Sequence, residues 1–159
     1  MKVFIAGIIQ GSKVQAAIHR QDWRDGIKEV IARALPEAKV YCHYSEHPNS
    51  IAYELPEIRT TMADGNKRAG ESDLLIAYVP SASMGTAIEM YLAATAGAVV
   101  LTISPLAANW VIRAYSDRSS RTLPRSRSSC SPTNWPDLSK AGNPVKQIGV
   151  GGNTLERWL

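Results

Sequence analysis

The sequence predicts a doubly wound α/β domain, a flavodoxin-like or Rossmann-like parallel sheet with helices on both faces. Three observations predict it. Four apolar, β-branched runs have the length of strands, segments of helical spacing lie between them, and the joints are short. The four runs are apolar throughout instead of alternating, as strands covered on both faces are.

The elements follow in order. The chain opens with "KVFIAGII", a strand ended by "QGS". Trp23, Ile27, Val30, Ile31, Ala34 and Leu35 recur at helical spacing after a cap at Asp22, and Pro36 closes that helix. "AKVYCHY" is the second strand. From Glu54 to Gly70 a helix carries Ile58, Met62 and Ala69 on one side, although Gly65 weakens it by roughly 1 kcal/mol relative to Ala. "DLLIAYV" is the third strand, Met84 to Ala96 the third helix, and "AVVLTIS" the fourth strand.

With 159 residues and 45% hydrophobic composition, the chain can bury one core. The α/β domain is read over residues 1–116. Residues 117–159 are read as an irregular extension rich in Ser, Arg, Pro and Gly, with no apolar period. The shift in composition after "NWVIRAYSD" is as abrupt as a change of reading frame would leave it. Net charge is +4, yet residues 1–116 balance 11 basic against 11 acidic side chains, so the excess lies wholly in the extension. A basic nucleic-acid surface on the domain is therefore not expected. No signal segment or apolar run of spanning length is present, so the expected location is cytoplasmic, without a membrane partner. Cys42 and Cys130 have no CxxC or metal-spaced neighbours, and His19, His43 and His47 read as surface residues. No metal and no cofactor is expected.

In such a sheet, ligands bind beyond the carboxyl ends of the strands near the switch point. Two segments occupy that rim, "AGIIQGS" and "VPSASMGTAIE". Neither is a phosphate loop: GxxxxGK[ST] is missing, and Gly7 and Gly11 do not make GxGxxG. Glu89 stands out as a lone carboxylate among Met84, Ala87, Ile88, Met90, Tyr91 and Leu92. Either it complements the helix dipole at a solvated face, or it faces a cavity for which Gly85 and Thr86, one turn earlier, leave room. The helix start favours its ionised form, as a nucleophile needs.

"FIAGIIQGS", "SDLLIAYVPSASMGTAIEMYLA" and "ISPLAANWVI" resemble, in that order, the nucleoside 2-deoxyribosyltransferase family and its relatives that hydrolyse deoxynucleoside 5′-monophosphates. The likeness covers residues 1–116. Its strongest element is the helix start with Ser83, Gly85 and Glu89. It implies that Glu89 attacks C1′ of a deoxyribose and holds the sugar as an ester until a second base, or water, resolves it. Asp64 is implied as the acid for the leaving base, and Asp73 as a structural residue. Phe4 and the turn Gly7, Ile8, Ile9 and Gln10 are implied to line base and sugar, with Ser83 at a phosphate or sugar hydroxyl. Asn109 is implied to reach a neighbouring subunit's site, which makes a homo-oligomer the expected assembly.

Two departures set limits. Ile8 and Gln10 stand where the monophosphate hydrolases carry Ser and a basic residue, and neither pairs with a phosphate dianion. Ser83 stands where the transferases carry Asp. Transfer of deoxyribose between bases, hydrolysis, and a silent nucleoside- or nucleotide-sensing module are the three readings the sequence carries forward.

Overall fold

The computed structural model of the chain describes residues 1–123. Five parallel strands form one sheet in the order β2-β1-β3-β4-β5. These are β1 (Lys2–Gly7), β2 (Lys39–Cys42), β3 (Leu74–Tyr78), β4 (Val99–Ile103) and β5 (Arg118–Ser120). The order places the switch point between β1 and β3, the flavodoxin-like arrangement expected. Register follows Phe4↔Tyr41, Ile5↔Ile76 and Ile76↔Leu101.

Alternation along the strands sorts the core into two layers. Val3, Ile5, Leu74, Ile76, Leu101 and Ile103 pack beneath α1 (Trp23–Ala34), meeting Trp23, Ile27 and Ile31. Phe4, Ala6, Leu75, Ala77 and Val100 face the other way, onto Ala69 of α3 (Leu55–Gly70), Met90 and Ala93 of α4 (Met84–Thr95) and Ile112 of α5 (Trp110–Tyr115). Helices thus cover both faces, which is why no strand alternates in sequence. The remaining helical pieces are one turn each, α2 (His43–Glu46) and a 3-10 turn at Ser50–Ala52.

Helix starts are built differently from one another. At α3, Glu54 and Glu57 form a reciprocal capping box, with Glu57 accepting from the Glu54 backbone N–H at 3.1 Å and Pro56 in the first turn. That box offsets the cost of Gly65. Asp22 stands at the start of α1 as expected, but its side chain makes no cap bond and instead meets Arg20 at 2.6 Å. Asp73 is structural, since its carboxylate accepts from the Lys2 backbone N–H at 2.7 Å and so ties the foot of β3 to β1.

β5 is a departure from expectation, because residues 118–120 fall in the segment read as irregular. Asp117 explains it: its carboxylate accepts from the Val100 N–H at 2.7 Å, and its own N–H donates to the Val100 carbonyl at 2.9 Å. This latch lays the next three residues along β4, with Leu101 opposite Arg118. The reading of the extension beyond residue 123, and of Cys130, lies outside the described residues. Cys42 is buried as a free thiol. Among the described residues no helix is long and apolar enough to cross a membrane, and no cluster of metal-ligating side chains occurs.

Candidate active site

The carboxyl rim of β1 and β3 is shaped by a close backbone approach. Gly7 ends β1 with φ +153°, and a Cβ there would lie 2.5 Å from the Trp23 ring and 2.9 Å from the Tyr78 carbonyl. Only glycine lets α1 and β3 come this close. The loop that follows is held by its own backbone: Ile8 N–H donates to the Tyr78 carbonyl at 3.2 Å, and His19 N–H to the Ile9 carbonyl at 2.7 Å. Ile8 is fully buried. Gln10 is exposed and reaches only the Gln15 carbonyl, while the Lys13 ammonium is spent on the Ile18 carbonyl.

On the α4 side, Ser83 occupies the N-cap position, but its hydroxyl meets the Thr86 hydroxyl at 3.0 Å instead of a backbone N–H. A Cβ added at Gly85 would touch nothing within 4 Å. The space that Gly85 leaves is therefore open, and Glu89 follows it by one turn on the same side of the helix.

Glu89 is half-buried, and its carboxyl makes no hydrogen bond or ion pair among the described residues. Desolvation pushes its pKa up to about 8, against a smaller downward pull from the Arg24 charge. The sequence expectation of an ionised carboxylate is corrected here. Dipole stabilisation at a helix start amounts to about 0.3–1 kcal/mol, which burial of a lone charge outweighs. At neutral pH the protonated form is therefore favoured.

Arg24, unnoticed in the sequence, is the buried cation of this region at 2% exposure. Its guanidinium donates to the Gln21 amide oxygen at 2.8 Å and to the Gly7 carbonyl at 3.2 Å. It lies 4.2 Å over the Trp23 ring. Burial lowers its pKa, partly offset by Cys42 and Glu89. The backbone oxygens at the tip of β1 thus hold a positive charge on the α1 face of the rim.

Across the sheet, a second group surrounds the end of β2. Phe4 is 1% exposed and packs against Tyr41 with ring centroids 5.1 Å apart. It is a core residue that backs the site through Tyr41. The enclosed Tyr41 hydroxyl and His43 Nδ1 have no hydrogen-bond partner among the described residues. Burial, the Asp64 charge and, more weakly, Glu89 push the Tyr41 phenol up to about 12. Burial and the neighbouring His47 bring His43 down to about 4, so it is uncharged at neutral pH. Both side chains feel Asp64, and Tyr41 also feels Glu89. The reading of the histidines as surface residues is therefore corrected: His43 and His19 each carry an enclosed ring nitrogen.

Asp64 itself accepts from Arg68 Nε at 2.6 Å, and the pair is about half-exposed. It borders the Tyr41 side of the site as an ion-paired carboxylate. Asn109 is exposed and caps α5, its side-chain oxygen accepting from the Val111 N–H at 2.9 Å. Within one subunit it belongs to that cap, and nothing joins it to Glu89. No local sequence pattern signals Tyr41 at the end of β2 or His43 at the start of α2; only the register of β2 against β1 puts Tyr41 beside Phe4.

No family model and no curated protein matches the sequence. Solved structures do. A 2-deoxyribosyltransferase from Bacillus psychrosaccharolyticus superposes with a TM-score of 0.57 at 14% identity, over 77% of this chain and 88% of that one. The chain has the fold of a 2-deoxyribosyltransferase. A conserved protein from Enterococcus faecalis V583 gives a TM-score of 0.50 at 18% identity, over 77% and 91% of the two chains. The CMP N-glycosidase BcmB from Clostridium botulinum gives 0.46 at 20% identity, again over 77% and 91%. At these identities the likeness is one of fold.

Proposed function

We propose that the chain cleaves the N-glycosidic bond of 2′-deoxynucleosides with Glu89 as nucleophile and passes the deoxyribose to another base. One observation carries the reading: a half-buried carboxyl without a hydrogen-bond partner among the described residues, its pKa raised by desolvation, stands inside a helix whose start is left open by Gly85. A fully solvated or dipole-complementing glutamate would not have its pKa raised by desolvation. The fold shared with the Bacillus psychrosaccharolyticus 2-deoxyribosyltransferase agrees with this choice of chemistry, while the site residue carries it, because fold alone does not fix function.

In the proposed reaction, the Glu89 carboxylate attacks C1′ as the C1′–N bond breaks, giving a glycosyl ester and a free base. A second base then attacks C1′, releases Glu89 and restores the original stereochemistry, as two displacements at one carbon do. A poorly solvated carboxylate is a reactive one, and the same burial that raises its pKa strips its water. Asp64 remains the proposed acid for the departing base. To act so, its carboxylate has to leave Arg68 and take up a proton from water before the base departs, since an ion-paired carboxylate has none to give. The uncharged His43 and the Tyr41 phenol offer unpaired polar atoms to the base. A nucleoside, and not its 5′-monophosphate, fits the first loop best, because Ile8 is buried and the Gln10 and Lys13 side chains are taken by loop carbonyls.

Shared sites in an oligomer belong to the same reading. Met84, Ile88 and Tyr91 form an exposed apolar stripe along α4, and Trp110, beside Asn109, is 84% exposed. A second subunit covering this surface would bring Asn109 to an interface.

Incubation of the protein with deoxyinosine and free adenine, followed by chromatography, tests the proposal. New deoxyadenosine is the expected product, and Glu89→Ala is expected to abolish it without loss of fold, because a helix accepts Ala. Free hypoxanthine with deoxyribose would assign hydrolysis instead, and binding without turnover would assign a sensor. Full turnover by Glu89→Ala would remove Glu89 from the mechanism.

A further inference from the structure

Arg24 is a buried cation that no carboxylate pairs with among the described residues. Taking a lone guanidinium out of water is costly, and an aliphatic side chain would fill the place without that cost. Its donors explain why it is there. β2 ends at Cys42, opposite Ile5, so the Gly7 carbonyl, two residues further along the same edge of β1, has no strand to pair with. Arg24 stands in for the missing strand, donating to the Ile5 carbonyl at 3.4 Å, the Gly7 carbonyl at 3.2 Å and Cys42 Sγ at 3.4 Å.

Its Nε faces the first loop instead. It donates to Gln21 Oε1 at 2.8 Å, and Gln21 Nε2 donates onward to the carbonyls of Ile8 at 3.0 Å and His19 at 2.9 Å. A guanidinium only donates and a carbonyl only accepts, so a side-chain amide joins them, and only one way round. The two N–H groups of Gln21 therefore clasp both ends of the loop. Together with the His19 N–H on the Ile9 carbonyl at 2.7 Å, they close the chain at its neck, while residues 12–16 beyond it are exposed. Gln21 lies ahead of α1, and neither that helix nor β1 needs this clasp for its own backbone bonds. What the clasp fixes is where the loop leaves the rim.

We propose that Arg24, acting through Gln21, is a positioning residue for the first loop, and that this relay holds Ile8, Ile9 and Gln10 where the substrate needs them. The inference rests on the reading of that loop as part of the nucleoside site. The relay touches no substrate and moves no proton. A loop released at its neck has to be ordered anew at each binding event, which lowers apparent affinity by the fraction of loop in the competent position and leaves bond breaking at Glu89 as it was.

Gln21→Glu separates the two halves of the relay. Its carboxylate accepts from Arg24 and gives the buried cation a counter-ion, but it has no N–H for the Ile8 and His19 carbonyls. The full chain with this change is expected to keep or raise its melting temperature, while KM for deoxyinosine rises about tenfold and kcat stays within about twofold. Stability and substrate affinity would then move apart, which a Gln21 of structural importance alone would not allow. Gln21→Met loses both halves and should raise KM as much with a lower melting temperature. Arg24→Lys keeps the charge that Glu89 feels but loses the fork that reaches Gln21 and Gly7 together, and should raise KM similarly. Hydrogen exchange read by mass spectrometry follows the loop itself: amides of residues 9–19 should exchange faster in Gln21→Glu than in the wild type, and those of β1 and α1 at the same rate. An unchanged KM in folded Gln21→Glu, or unchanged exchange in the loop, overturns the proposal. A wild type that turns over no deoxynucleoside would overturn the proposed reaction, and loop exchange would then decide alone whether Arg24 and Gln21 place the loop.

Discussion

At the scale of the residue, the charge state of Glu89 decides most. Its pKa of about 8 means that nucleoside cleavage by an ionised Glu89 should rise with pH, about tenfold per unit, and level off near pH 8. A rate already flat from pH 5 to 7 would show that another group limits the reaction. Stability moves the other way. Between the unfolded value of 4.5 and about 8, the folded chain holds a proton that the unfolded chain has released, so folding weakens as pH rises through that window. Glu89→Gln has no such proton, and its melting temperature should exceed that of the wild type by a margin that is small at pH 5 and larger at pH 8. His43, with its depressed pKa, loses stability in the opposite direction, as pH falls from 6.5 towards 4, but equally in both proteins, so the difference isolates Glu89. Equal margins at the two pH values would mean that Glu89 is solvated. The sequence exposed Glu89 as an oddity among apolar neighbours but not its protonation. A helix dipole is legible locally, whereas desolvation depends on tertiary packing around the helix, which no local pattern states.

At the scale of the element, long periodic segments were legible and short ones were not. The four apolar strand runs and the helices Trp23–Ala34, Leu55–Gly70 and Met84–Thr95 lie where periodicity puts them, although Leu55–Gly70 buries only Gly65 and Ala69 and leaves Ile58 and Met62 of its expected apolar side exposed. β5 has three residues and no apolar pattern. It exists because Asp117 pins it to Val100, a contact 17 residues distant in the chain. Tyr41 joins Phe4 only through the register of β2 against β1, which no local pattern states. The turn at Gly7 joins these scales, since β1, β3 and α1 all converge on the missing side chain. Gly7→Ala should destabilise the fold by about 1–3 kcal/mol through overpacking against the Trp23 ring and the Tyr78 carbonyl, as read by urea unfolding. A change below a few tenths of a kcal/mol would mean that this rim yields more readily than the close approach implies.

At the scale of the whole molecule, the sheet order sets a division of labour. Its α3–α4 face carries Glu89, Tyr41, His43 and Asp64, and its α1 face carries Arg24, while the first loop passes over the rim between them. The exposed apolar stripe on α4 and Trp110 predict self-association, and sedimentation should find a species larger than one chain that Tyr91→Arg and Trp110→Arg return to monomer. A monomeric wild type would take the partner subunit, and with it Asn109, out of the site. The central claim is covalent, and the protein's mass reads it directly. After brief reaction with deoxyinosine and an acid quench, proteolysis and mass spectrometry should place a deoxyribosyl group on the peptide that contains Glu89, and Glu89→Gln should carry none. Steady turnover with no such adduct at any time, or turnover retained in Glu89→Gln, would contradict it.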